Sequence, residues 1–76
     1  MVNNGEVQSV IFDKSKYTAN TASSWLKKNN FKTSFYGKKV ETTKNKLRYR
    51  QQAPTKYSKY RIKHITNGVQ FVLGFN

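Results

Sequence analysis

Two short runs concentrate the groups able to do chemistry. Residues 46–51 read Lys-Leu-Arg-Tyr-Arg-Gln, and residues 60–65 read Tyr-Arg-Ile-Lys-His-Ile. In both, a cation alternates with an apolar or aromatic residue. A strand sends successive side chains to opposite faces. Lys46, Arg48 and Arg50 therefore fall on one face, as do Arg61 and Lys63. Leu47 and Tyr49, or Tyr60 and Ile62, fall on the other. The chemistry such rows offer is capture of phosphate. Cations two residues apart stand about 6.6 Å apart along a strand, close to the spacing of successive phosphates on one nucleic-acid strand. Arginine can fork two N–H groups onto a phosphate or stack on a base. If the two strands are neighbours, the five cations make one outward surface. Lys56 and Lys59 extend it, and Tyr57 between them is the candidate for stacking on a base. Parity assigns Tyr49 and Tyr60 to the core, so contacts to phosphate dominate and sequence specificity is expected to be weak.

Composition supports a polyanionic partner. Fifteen Lys and Arg face only Glu6, Asp13 and Glu41, for a formal charge of +12. All fifteen cations lie between positions 14 and 63, ten of them between 38 and 63. Solubility alone asks for a net charge of about 2–8 in a small domain. An excess of this size repels itself and attracts polyanions.

Other chemistries are poorly served. The chain has no cysteine and a single histidine, His64, so neither a disulfide nor a zinc site is expected. Three scattered acids give no pair for general acid–base work. Gly5, Gly37, Gly68 and Gly74 are isolated rather than grouped in a phosphate loop. No serine has the setting of a nucleophile elbow. The expectation is a protein without catalytic residues or a cofactor. The first residues lack a basic and then apolar leader, and no apolar run approaches about 20 residues. A cytoplasmic or virion-associated protein, neither secreted nor membrane-bound, is expected.

The elements that must position the cations are legible. The 76 residues suit one small domain, which buries only about 60% of the surface of its unfolded chain. Residues 1–5 read as a flexible tail. Residues 7–12, Val-Gln-Ser-Val-Ile-Phe, are β-branched and aromatic and predict a first strand, apolar on both faces and so either a central strand or an edge buried by something else. Thr18 is a helix N-cap, followed by Ala19, Ala22, Trp25 and Leu26 at helical spacing. The capping box is expected to be incomplete, because Thr21 stands where Glu or Gln would reach back. Lys27 and Lys28 suit the end of the helix dipole, and Asn29-Asn30 is a natural stop. Ala22, Trp25 and Leu26 are expected to dock on the sheet.

Thr33-Ser34-Phe35-Tyr36 opens a second extended stretch that ends near Val40, with a bend at Gly37. A turn at residues 42–45 leads into the third strand, 46–51, which Ala53-Pro54 breaks. Residues 60–65 form the fourth strand. Asn67-Gly68 predicts a two-residue type I′ hairpin into Val69–Phe75. In that strand Val69, Phe71, Leu73 and Phe75 share one face, assigned to the core. The fold class is α+β: one helix on one face of a mainly antiparallel sheet, β-α-β-β-β-β, or one strand fewer if residues 33–40 are irregular.

Several short motifs follow one another along the chain: Val7-x-Ser9-Val10-x-Phe12, Trp25-Leu26-Lys27-Lys28, Asn45-x-Leu47-Arg48-Tyr49-Arg50-Gln51, Tyr60-Arg61 and Gly68-Val69-x-x-Val72-x-Gly74. In this the chain resembles a small uncharacterised domain of tailed-phage and large-DNA-virus proteins. The resemblance spans nearly the whole chain and contains no catalytic signature. Acids in that pattern stand where this chain has Lys44 and Thr21, so this chain is the more basic. The resemblance implies a virion or viral-genome setting.

The leading expectation is thus a non-enzymatic module that binds DNA or RNA through Lys46, Arg48, Arg50, Lys56, Tyr57, Lys59, Arg61 and Lys63. The alternative is a structural virion protein, such as a minor capsid or cement subunit, or another protein-interaction module. That class includes a basic inhibitor of a nucleic-acid-handling enzyme. In that reading viral structural proteins are the partners, a homo-oligomer is open, and the Val69–Phe75 strand offers an edge for strand addition.

Overall fold

A computed structural model of the chain describes residues 5–33, 41–52 and 57–75. The extended stretch expected at residues 34–40, the break at Ala53-Pro54, Lys56 and residues 1–4 lie outside them. The elements run β1 (Glu6–Asp13), α1 (Ala19–Lys28), β2 (Glu41–Thr42), β3 (Lys46–Arg50), β4 (Lys59–Thr66) and β5 (Val69–Phe75). They build the expected α+β fold, one helix on a five-stranded antiparallel sheet. The strand order is β2-β3-β1-β5-β4. β1 is central, the first of the two places that its two apolar faces allow.

The helix forms where its caps allow. The Thr18 hydroxyl accepts from the Thr21 backbone N–H at 3.2 Å, and the Thr21 hydroxyl accepts from the Thr18 N–H at 2.8 Å. The capping box therefore closes with threonine in place of Glu or Gln, because a hydroxyl three residues on still reaches the cap N–H. Asn29 caps the other end and donates its side-chain amide to the Trp25 carbonyl at 2.8 Å. Asn30 takes a φ of 64°, a conformation asparagine tolerates.

The helix sets Ala22 and Leu26 onto one face of the sheet, against Val10, Phe12, Leu47, Tyr49 and Val69. Trp25 belongs to this core, as its spacing predicts. Its ring meets Phe12 edge-on at 5.7 Å, lies parallel to Phe31 at 6.0 Å and crosses Phe71 at 6.2 Å. Phe12 packs edge-on to Tyr17 and Tyr49 as well. Such pairs add about 0.5–1.5 kcal/mol beyond the area they bury.

The second face of the sheet follows from the register, because residues opposite one another in an antiparallel pair share a face. Ile11 lies opposite Arg48 and Gln70, and Ser9 opposite Arg50 and Val72. The cations of β3 therefore stand on the face away from the helix, as expected. Beyond β3, Gln51 is buried and bridges to Lys32: its Oε1 accepts from the Lys32 N–H at 2.7 Å and its Nε2 donates to the Lys32 carbonyl at 2.8 Å.

Three expectations are corrected. β3 and β4 are not neighbours, since β1 and β5 lie between them. β5 is an interior strand, so Val69–Phe75 is not an edge; β4 is. The Asn67-Gly68 connection has two residues but is not type I′. Only Gly68 has positive φ, 84°, whereas type I′ needs it at both central positions.

Candidate nucleic-acid interface

The fourth strand carries the largest departure from the expected arrangement. Thr66 pairs with Val69, yet His64 pairs with Gln70, which leaves Ile65 as an extra residue on β4. A regular ladder would have set Ile65 opposite Gln70 and Ile62 opposite Leu73, with Tyr60 and Ile62 on the helix side. The bulge moves every residue before it to the other face. Ile62 now lies opposite Val72 and Tyr60 opposite Gly74, while Arg61 lies opposite Leu73 and Lys63 opposite Phe71. Tyr60 and Ile62 thus stand on the second face, and Lys59, Arg61 and Lys63 on the helix side. They are not the core and the outward surface that alternation alone predicted.

Alternation within residues 60–65 carries no mark of this reversal, because the extra residue shows only in the pairing of β4 with β5. At the sheet edge β4 is exposed along all eight residues. Tyr60 is 42% and Ile62 63% exposed, so neither face choice is enforced by deep burial.

The eight candidate residues therefore divide. Lys46, Arg48 and Arg50 stay together on the second face. Lys59, Arg61 and Lys63 lie on the opposite face, about 14 Å away across three strand spacings. Lys56 is outside the described residues. Tyr57 is buried rather than presented for stacking. Its ring lies over Gly74, where any Cβ would overlap it, and it meets the Tyr60 ring edge-on at 6.0 Å.

Acids moderate the β3 row more than their scatter in the chain suggests. Glu41 pairs with Arg48 across β2 and β3, and its carboxylate receives the Arg50 guanidinium through both oxygens. This hydrogen-bonded contact holds the Arg50 pKa above its ordinary value, with the charge of Glu41 and the nearby Tyr60 acting in the same direction. At the other end Lys46 Nζ lies 3.9 Å from Asp13 Oδ2. Asp13 is held below the usual carboxylate range, first by the Ser15 backbone N–H at 2.9 Å and then by the Ser15 hydroxyl at 2.8 Å. Arg48, between these two pairs, makes no ion pair among the described residues.

Residues that sequence reasoning missed complete the second face. Tyr60, Ile62 and His64 line its β4 side, and the Gln70 amide nitrogen lies 3.1 Å from His64 Nε2, to which it donates in the tautomer that carries its proton on Nδ1. Ile11 and Val72 are buried between the two rows. Among the described residues no cluster of three or more His, Asp or Glu is placed to hold a metal ion. No described helix is long and apolar enough to cross a membrane. Comparison with protein families, with curated proteins and with solved structures finds no match in any of the three.

Proposed function

We propose that the protein binds nucleic acid without catalysing a reaction, mainly through phosphates and with weak sequence specificity. One observation carries the reading. At a net charge of +12, Arg48, Lys59, Arg61 and Lys63 make no ion pair among the described residues, so their field is directed at a partner. Arg48 is the central contact, flanked by Lys46 and Arg50, which a phosphate must share with Asp13 and Glu41. The short motifs that resemble the phage and large-virus domain support a virion or viral-genome setting.

The test is titration of labelled DNA and RNA at several salt concentrations. Three phosphate contacts from the second face give a slope of log K against log salt near −2.7 on duplex DNA. Recruitment of Arg61 and Lys63 as well gives about −4.5. Weak binding that salt does not change overturns the proposal.

A second reading is favoured by the β4 edge. An eight-residue strand exposed throughout and carrying Lys59, Arg61 and Lys63 suits addition of an acidic extended segment. That describes a virion structural protein or a basic inhibitor of a nucleic-acid-handling enzyme. Self-association in sedimentation without affinity for nucleic acid selects it.

A further inference from the structure

We infer that the second face takes single-stranded rather than duplex nucleic acid, with Tyr60 as the residue on which a base stacks. This rests on the nucleic-acid reading above and deepens it. Tyr60 and Ile62 are large apolar side chains left 42% and 63% exposed, on the same face as Lys46, Arg48 and Arg50. Isolated exposed apolar residues are ordinary. An exposed aromatic ring on the same face as a row of cations, here with β1 and β5 between them, is an arrangement by which single strands are held, bases on rings and phosphates on cations.

The Tyr60 ring is also supported in place. Gly74 opposite it has no side chain, and Tyr57 fills that space and meets Tyr60 at an interplanar angle of 82°. A platform held before binding loses less freedom when it binds. Charge complementarity selects the occupant. Arg48 shares this face across β1 and β5 and makes no ion pair among the described residues, so a purely apolar partner would leave its charge unanswered. In a duplex the base faces are already stacked on one another, so a ring on a flat sheet cannot reach them. In a single strand they are open. His64 and Gln70 add hydrogen-bonding groups further along the same face, beyond Ile62.

The experiment compares a labelled single-stranded oligonucleotide with the duplex of the same sequence, by fluorescence anisotropy, for the unaltered chain and for Tyr60→Ala, Tyr60→Phe, Ile62→Ala and Arg48→Ala. Single strand is expected to bind at least tenfold tighter than duplex. Tyr60→Ala should weaken single-strand binding about 5- to 150-fold, the loss of one stacked base, and Tyr60→Phe should keep most of it. Ile62→Ala, at the most exposed position, serves as the variant whose folding is not at issue and should show a smaller loss confined to the single strand. Equal affinity for the two forms, with the Tyr60 and Ile62 variants unchanged and Arg48→Ala still weakened, overturns this inference and leaves the nucleic-acid reading standing. No binding to either form removes both. Sedimentation in which Tyr60→Ala dissociates an oligomer while binding is unchanged assigns the strip to contact between copies and also overturns it.

Discussion

β3 and β4 carry the same alternation of cation and apolar residue, and the fold treats them differently. β3 lies between β2 and β1, so its two faces have fixed assignments: Leu47 and Tyr49 go under the helix, and Lys46, Arg48 and Arg50 go opposite. β4 has one neighbour, and it lies at the sheet edge. There Arg61 and Lys63 take the helix side, while Tyr60 and Ile62 take the other. The lesson is that alternation describes a strand, whereas the face it presents is a property of its neighbours. In β3, burial of Leu47 at 5% exposure makes a slip costly. In β4, where every residue is exposed, the bulge at Ile65 decides instead.

The comparison is most sharply tested by removing matched side chains. Leu47→Ala should cost about 2–5 kcal/mol in urea unfolding, as for a buried leucine. Ile62→Ala should stay within about 0.5 kcal/mol, as for a surface site. Equal costs would mean that β4 is buried after all. Gly74→Ala should cost about 1–3 kcal/mol, because the new methyl overlaps the Tyr57 ring. That cost should vanish in a Tyr57→Ala background, and a cost that persists would place the conflict in the backbone.

Binding divides the strands next. Arg48→Ala should weaken nucleic-acid affinity several-fold and flatten the salt slope by about 0.9 on duplex DNA, whereas Arg61→Ala should change either quantity less. The reverse ranking would move the interface to the helix side.

A smaller effect concerns acid. The Asp13 pKa is lower folded than unfolded, so its contribution is present above the unfolded value and is lost as pH falls through the folded one. Asp13→Asn should therefore flatten the fall in stability below the usual carboxylate range, read by unfolding across acid pH. An unchanged profile would show that Ser15 and Lys46 do not favour the charged carboxylate. The smallest change is expected from deletion of Ile65. As the extra residue of the bulge, it can leave without altering the pairing of Tyr60 with Gly74 or His64 with Gln70. Cross-strand nuclear Overhauser effects check this, and a regular β4 would instead change faces.

Much of the scaffold was legible because its signals are local. The Thr18 cap, the Asn29-Asn30 stop and the docking stripe of Ala22, Trp25 and Leu26 depend on residues within one or two turns. The apolar residues on both faces of β1 narrowed it to a central strand or a covered edge, and strand pairing chose the centre. Three of the eight candidate residues were placed together by an equally local signal: Lys46, Arg48 and Arg50 share a face because the strand is pleated. The salt bridges were not legible, since Glu41 reaches Arg50 and Asp13 nears Lys46 only after strands pair. Tyr57 was read as a loop ring, and its burial depends on the missing Cβ of Gly74, seventeen positions later in the chain.

By itself the sequence determined the charge, the helix and its ends, and which side chains within each strand travel together. Those follow from backbone geometry over a few residues. The tertiary structure alone decided that β1 and β5 separate the two basic strands, that β4 is an edge, and that a single extra residue turns Tyr60 and Ile62 onto the face that carries the β3 cations. Pairing between distant segments sets strand order and register, and a period of two means that a shift of one residue exchanges the faces.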